Sequence, residues 1–193
     1  MRRRTCIRIF PIVIIVFSIY SINHLQLGNA QVENRKTYFD VNRKFSFLYP
    51  SDWTVNSTHN DFNGYTEVTL VNPHSMRMKI SLLYIPNDPL LDSKTGTPVV
   101  PSMALTNLEN SISPDYVFFN STGKFPHKYS VKGYQSASDI VDFEKIQGRP
   151  GKMLIVYAKI TDKDSLVFSY SESKRTFYKS LSNVSQIINS ISI

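Results

Sequence analysis

Hydrophobic and polar residues alternate along much of the chain, which is the pattern of strands that bury only one face. Phe45, Phe47 and Tyr49 recur at a period of two, and Pro50 directly after them predicts the end of a short strand. The same signals predict further extended segments at 53–55, 65–71, 76–85, 116–119, 134–145, 152–160 and 165–170. Polar turns separate most of these segments, so we expect sequential antiparallel strands.

Two segments follow a helical period instead. In the first, Leu105, Leu108 and Ile112 lie between Pro101, which suits a first helical turn, and Pro114, which would stop the helix. In the second, at the C-terminus, one apolar stripe is formed by Phe177, Leu181, Val184, Ile188 and Ile191. Strands and helices together predict an α+β fold, a central antiparallel sheet with helices packed on it, including the C-terminal helix.

Two segments carry neither period. Residues 31–43 are polar and are interpreted as a lead-in segment, so that the folded domain is predicted to span 44–193. Residues 86–98 contain Pro-Asn-Asp-Pro and Lys-Thr-Gly-Thr, and they are predicted to form an exposed loop because Pro, Asn, Asp and Gly favour turns.

The first thirty residues have the pattern of an export signal. An apolar run, Ile9–Ile22, lies between an arginine-rich flank and the small-residue end 28–30, without any acidic residue. We predict an export signal over 1–30 with cleavage after Ala30. An uncleaved anchor helix stays open, although the run is shorter than the roughly 20 residues that span a bilayer. In either case the domain is expected outside the cytoplasm, secreted or tethered to the outer face of the cell membrane.

The net charge of the whole chain overstates that of the domain. Lys and Arg number 22 and Asp and Glu number 15, which gives +7, but four arginines belong to the predicted signal. Without them 18 basic and 15 acidic residues remain, a net charge of +3. These Lys and Arg residues are scattered singly or in pairs, as on an ordinary solvated surface. A nucleic-acid-binding protein is therefore not expected.

The sequence offers little catalytic or metal-binding chemistry. It contains no Gly-x-Ser-x-Gly elbow, no His-Glu-x-x-His motif and only one cysteine, so we predict no catalytic residue and no cofactor. A loose acidic group, Asp139, Asp142 and Glu144, is a weak candidate for a divalent-cation site. Asp142 and Glu144 would share one face of a regular strand.

Three Asn-x-Ser/Thr sequons are candidate sites of N-glycosylation, because the chain is predicted to be exported. They begin at Asn56, Asn120 and Asn183. Asn56 and Asn120 are expected in loops. Asn183 is expected in the middle of the C-terminal helix, which makes it the poorest acceptor of the three.

The segment 45–55 carries a more specific signal. It reads Phe-Ser-Phe-Leu-Tyr-Pro-Ser-Asp-Trp-Thr-Val, an aromatic strand that leads into Tyr49, Pro50 and Trp53. This resembles the opening strand motif of the PsbP family. The segments Leu-Val-Phe-Ser-Tyr at 166–170 and Ile-Ile-Asn-Ser-Ile at 187–191 also look like that family, as the end of a hairpin and of a terminal helix.

The resemblance implies a Mog1/PsbP-like αβα sandwich around an antiparallel sheet. The best-known members are extrinsic subunits of the photosynthetic oxygen-evolving complex, which dock on a membrane complex, help to retain its inorganic ions and are not enzymes. An export signal in place of a plastid transit peptide points to a non-photosynthetic, exported member. The family has no catalytic motif, so only Tyr49, Pro50 and Trp53 carry over, as structural residues. Pro50 would end the strand pairing, and the turn would bring Trp53 into the core.

Three functions are compatible with these observations. We favour a non-enzymatic exported domain that docks on a membrane or cell-envelope protein complex, as PsbP proteins dock on photosystem II. The second is an envelope binding protein for a small ligand or metal ion, with a pocket beside the aromatic segment 116–119. The third is an enzyme of an unrecognised type. We expect a monomer.

Overall fold

The structure, a computed structural model, describes residues 34–42, 44–62, 64–75, 77–92, 99–124, 129–145 and 148–193. The export signal predicted over 1–30, and the predicted cleavage after Ala30, lie outside these residues. Within the described part, Arg35–Ile193 form one compact unit.

The described chain contains nine strands and two α-helices. The strands are β1 (Arg35–Phe39), β2 (Ser46–Pro50), β3 (Thr54–Asn60), β4 (Tyr65–Val71), β5 (Lys79–Ile85), β6 (Tyr116–Lys124), β7 (Gln135–Lys145), β8 (Gly151–Lys159) and β9 (Ser165–Ser173). The helices are α1 (Pro101–Ile112) and α2 (Phe177–Asn189). Seven strands form an antiparallel sheet in the order β3-β4-β5-β9-β8-β7-β6, while β1 pairs with β2. The predicted α+β fold with a central antiparallel sheet is confirmed.

Period-two alternation divides the core between the two faces of the sheet. In β8, Leu154 and Val156 belong to the core beneath α2, whereas Met153 and Ile155 belong to the core beneath α1. Strand β2 joins α2 on the first face, where Phe47 is 1% exposed. The result is the αβα layering that the resemblance implied.

Both helices follow their predicted apolar patterns. Helix α1 begins at Pro101, whose missing N–H costs nothing at a helix start, and it ends at Ile112, before Pro114. Helix α2 buries its predicted stripe at Phe177 and Val184. Among the described residues, neither helix is long and apolar enough to cross a membrane.

Two segments differ from the prediction. Part of the predicted lead-in segment 31–43 is strand β1, which pairs with β2 in a contact that includes the stacked rings of Tyr38 and Phe47, 5.0 Å apart. In the predicted exposed loop 86–98, Asp88 and Leu91 are buried, at 3% and 6% exposure. Pairing with β2 makes the largely exposed residues 35–39 a strand, and long-range contacts bury Asp88 and Leu91 although their local composition favours a turn.

Candidate functional site

Two adjoining cavities lie at one end of the sheet, where β5 and β8 begin, β9 ends and α2 begins. They enclose about 470 and 640 Å³, and both are lined by Arg77, Arg149, Pro150, Glu172 and Ser173. Together they form what we call the basic groove, because six basic residues line it: Arg77, Lys79, Arg149, Lys174, Arg175 and Lys179.

Strand pairing assembles these six side chains from distant parts of the sequence. Lys79 is the first residue of β5, and Arg77 and Arg149 lie in the segments before β5 and β8. The other three lie after β9 and in the first turn of α2. Strand β9 pairs with both β5 and β8, so that Lys79 is opposite Ser171 and the first residue of β8 is opposite Ser173. The sheet register therefore creates the groove.

The cations of the groove are exposed and mostly unpaired. Lys174 donates to the Asp142 carboxylate at 3.1 Å. The other five form no ion pair with any acidic residue that the structure describes. Clustered like charges repel each other, and an anionic ligand would relieve that repulsion. The groove thus concentrates positive charge on a domain whose predicted net charge is only +3.

A buried carboxylate, Glu172, lines both cavities and is 6% exposed. It accepts hydrogen bonds from the hydroxyls of Tyr170 at 2.8 Å, Ser180 at 3.0 Å and Ser75 at 3.3 Å. Burial, together with the bond to Glu172, raises the pKa of Tyr170 above its ordinary value. The same hydroxyl oxygen lies 2.9 Å from the carbonyl oxygen of Phe177, so its single hydrogen is shared between the two acceptors. Glu172 therefore links β9, the start of α2 and the segment before β5.

An apolar wall completes the smaller cavity. Phe143 and Pro150 line it beside Gly151. A Cβ atom on Gly151 would lie 2.7 Å from Cζ of Phe143 and 2.9 Å from the backbone oxygen of Glu172. Only glycine tolerates so close an approach without displacement of its neighbours. The cavity combines this wall with cationic side chains.

The start of α2 adds a further positive contribution. Thr176, the residue before the helix, makes no side-chain capping hydrogen bond, and the first turn contains no acidic residue. Thr176 and Lys179 both line the larger cavity. The positive end of the helix dipole therefore lies at the groove without a neighbouring acid to neutralise it.

The structure does not assemble the acidic group that was considered as a cation site. Asp139 is fully buried on the α1 side of β7, whereas Asp142 and Glu144 share the other face, as alternation requires. Asp142 is paired with Lys152 at 2.7 Å and with Lys174 at 3.1 Å. No group of three His, Cys, Asp or Glu residues within the described ranges could hold a metal ion.

The three motif residues lie at the end of β2. Pro50 is the last residue of the strand, and its carbonyl accepts a hydrogen bond from the N–H of Trp53 at 3.1 Å. Trp53 is 7% exposed and belongs to the core beneath α2, which Tyr49 contacts from its edge. This turn lies in the hydrophobic core rather than in the basic groove.

The sequon asparagines are all exposed, but two of them do not lie in loops. Asn56 is in β3 and Asn120 is in β6, which are the two outer strands of the sheet, so the predicted loop positions are wrong. Pairing with β4 and β7 holds these Thr-containing segments extended. Asn183 lies within α2, as predicted.

The aromatic segment 116–119 has one face in the core and one on the surface. The ring of Tyr116 lies 5.3 Å from that of Phe119 and 5.4 Å from that of Phe143, beside the core beneath α1. Val117 and Phe118 are 69% and 47% exposed. Most of the aromatic area of this segment therefore serves packing.

Comparison with known proteins identifies the fold. No family model matches the sequence, and no curated protein matches it. The solution structure of cyanobacterial PsbP (CyanoP) from Synechocystis sp. PCC 6803 matches with a TM-score of 0.58 and 12% identity, over 86% of this chain and 96% of that chain. The Ran-binding protein Mog1p of Saccharomyces cerevisiae matches with a TM-score of 0.53 and 9% identity, over 83% of this chain and 96% of that chain. The chain has the PsbP/Mog1-like fold that the motif at 45–55 implied.

Proposed function

We propose that this PsbP/Mog1-like domain is a non-enzymatic, exported protein that docks on a membrane or cell-envelope protein complex through the basic groove. The observation that carries the proposal is the convergence of five exposed cations, none paired with a described acid, on one concave surface. Docking surfaces commonly use such charge to meet a partner of opposite charge. Mog1p, which shares the fold, is a Ran-binding protein, so the fold is compatible with binding to another protein.

The export signal predicted over 1–30 supports a location outside the cytoplasm, secreted or tethered to the outer face of the membrane. A tether at the N-terminus would keep the domain beside membrane complexes. The partner is expected to present an acidic surface.

Co-purification from native membranes tests the proposal. The full-length protein with a C-terminal tag is expressed in its own cells, and the membranes are solubilised under mild conditions at low ionic strength. We expect a membrane or envelope complex to co-purify. It should dissociate when salt is raised to about 0.5 M, because surface charges are then screened over a few ångströms.

Charge reversal identifies the docking surface. The double variant Arg149→Glu/Arg175→Glu should lose the complex, whereas Lys36→Glu/Lys163→Glu, an equal change of charge at exposed sites outside the groove, should retain it. Recovery of no partner by the unmodified protein would contradict docking. Equal recovery by both double variants would contradict the groove as the docking surface.

A further inference from the structure

The side chains of the groove match one kind of anion better than others. Three arginines, Arg77, Arg149 and Arg175, present guanidinium groups, each of which can donate two parallel hydrogen bonds to one tetrahedral oxyanion. Lysines could balance the charge of any anion, but paired forks are the arrangement typical of phosphate recognition. We infer that the basic groove binds a phosphate group. The inference rests on the proposed function, because it names what the docking groove recognises.

Two hydroxyl groups lie beside the arginines. Ser173 and Thr176 line the larger cavity, and their hydroxyl oxygens lie 2.6 Å apart, so one hydroxyl donates to the other. The backbone N–H groups of Thr176 and Lys179 already donate to the carbonyls of Ser173 and Thr176. The first turn of α2 contains no acidic residue, so a phosphate in this cavity would meet the positive end of the helix dipole together with the arginine side chains.

The groove is larger than a single phosphate needs. The smaller cavity, about 470 Å³, falls within the range of sites that hold whole small molecules. Phe143 and Pro150 provide an apolar wall next to Arg149. The ligand is therefore a phosphate ester with a less polar portion, which lies against this wall while the phosphate meets the arginines. Both phospholipid headgroups and soluble organic phosphates have this chemistry.

Glu172 limits where the phosphate can lie. Its carboxylate already accepts three hydroxyl donors, so Ser75, Tyr170 and Ser180 are not available to the ligand. Its negative charge also repels an anion at short range. We therefore expect the phosphate to contact the arginine side chains of the groove rather than Glu172 and its three donors.

Binding measurements on the full chain test this inference, in nonionic detergent for the soluble arm and after removal of the detergent for the lipid arm. The soluble arm titrates inorganic pyrophosphate by calorimetry, with hexaglutamate as a polyanion that carries carboxylates instead. The lipid arm measures flotation with vesicles of phosphatidylcholine with and without phosphatidylglycerol. Both lipids carry a phosphate, but only phosphatidylglycerol has a net negative charge, and the arginine-rich flank of the run Ile9–Ile22 would also be attracted to it. The part of the difference between the two vesicles that is lost in Arg149→Ala therefore reports the groove.

We expect pyrophosphate or phosphatidylglycerol to bind at least about tenfold more tightly than hexaglutamate and phosphatidylcholine, respectively. Arg149→Ala should weaken that binding about tenfold, since it removes a charge-assisted pair of hydrogen bonds. Arg149→Lys should recover only part of the loss, because it restores the charge without the fork. Lys163→Ala, a matched cation outside the groove, should leave binding unchanged. Unaltered thermal midpoints would show that each variant is folded.

The two arms separate the sources of the phosphate. Binding to phosphatidylglycerol vesicles alone assigns a lipid headgroup, and binding to pyrophosphate assigns a soluble phosphate. Equal binding of hexaglutamate and pyrophosphate, or unchanged binding by Arg149→Ala, would overturn the inference. If the complex co-purifies through the groove but neither phosphate probe binds, this inference fails and the proposed function stands. If a phosphate probe binds but no complex co-purifies, the proposed function fails and the inference of a phosphate site stands.

Discussion

The two ends of the β8–β9 hairpin each bury one carboxylate. Asp88, 3% exposed, accepts hydrogen bonds from the hydroxyl of Tyr157 at 2.5 Å, from the hydroxyl of Ser165 and from the N–H of Leu90 at 2.9 Å. Glu172, 6% exposed, accepts its bonds at the other end from one tyrosine and two serines. The immediate chemistry is nearly the same at the two ends.

Their surroundings differ. Asp88 lies on the α1 side, where its backbone N–H also donates to the carbonyl of Lys163 in the β8–β9 turn at 2.6 Å. Glu172 lies on the α2 side, within a groove lined by six cations. A buried acid satisfied by hydroxyls can therefore serve as a structural link at one end and as part of a binding surface at the other. Substitutions should separate these two roles.

The largest loss of stability is expected at Asp88, at the turn end of the β8–β9 hairpin. Asp88→Ala leaves the hydroxyls of Tyr157 and Ser165 buried without an acceptor, which should lower the free energy of unfolding by about 3 kcal/mol. Asp88→Asn keeps an accepting oxygen and should cost about 1 kcal/mol. Urea unfolding at pH 7 measures both. Phosphate affinity should be the same in both variants, and a large change in it would mean that the two ends are coupled.

A smaller effect is expected where the groove meets the sheet. Gly151→Ala places a methyl group against the ring of Phe143 and the backbone oxygen of Glu172, and should cost about 2 kcal/mol because a backbone atom cannot move away alone. It should also weaken phosphate binding, since Phe143 lines the cavity. Denaturation and calorimetry on one variant report both effects. If Gly151→Ala were as stable as the unmodified protein, the neighbouring strands would have moved apart at little cost in free energy.

At Glu172 the change should appear mainly in binding. Glu172→Gln keeps an accepting oxygen for Tyr170 and Ser180, so the expected loss of stability is about 1 kcal/mol. Removal of the negative charge should tighten the binding of pyrophosphate. Calorimetry measures the pyrophosphate affinity of Glu172→Gln and of Asp88→Asn, which is the matched variant at the other end of the hairpin. If Glu172→Gln and Asp88→Asn bound pyrophosphate with equal affinity, Glu172 would have no special role in the binding surface.

The smallest effect concerns Asp142, next to the groove. Burial alone would raise the pKa of Asp142, but hydrogen bonds and charge from Lys152 and Lys174 outweigh it and hold the pKa below its ordinary value. A depressed pKa stabilises the folded state above pH 4 and loses that contribution as the pH falls through the folded-state pKa. Asp142→Asn should therefore cost about 1 kcal/mol at pH 7 and less below about pH 4. A penalty that does not change with pH would assign the effect to packing.

The two helices and most of the strands were predictable because their signals are local. The helix over 101–112 was predicted from the spacing of Leu105, Leu108 and Ile112 between two prolines, and it has these bounds in the structure. The turn after Pro50 was likewise expected from neighbouring residues. Prediction failed at Asp88, where Pro-Asn-Asp-Pro indicates a turn and Asn87 does adopt a left-handed φ of 48°. The burial of Asp88 depends on Tyr157 and Ser165, which are far away in the sequence.

The acidic group on β7 shows the same limit. Alternation alone separates Asp139 from Asp142 and Glu144. It does not identify the single described donor to the Asp139 carboxylate, which is the hydroxyl of Ser121 in β6 at 2.5 Å. That partner depends on a β6–β7 register with a shift between Ser121 and Lys124. No spacing along the chain indicates such a shift.

By itself, the sequence predicted both helices, most of the strands and the apolar face of each, because apolar periodicity is a property of neighbouring positions. It did not predict β1 or the full length of β3 and β6. It also determined the total charge, but not the place of that charge. Arg77, Arg149 and Arg175 look like isolated surface residues in the sequence, and only the pairing of β9 with β5 and β8 brings them to one groove. Electrostatic interaction acts through space rather than along the chain. The fold could therefore be inferred from the sequence, whereas the candidate site required the tertiary structure.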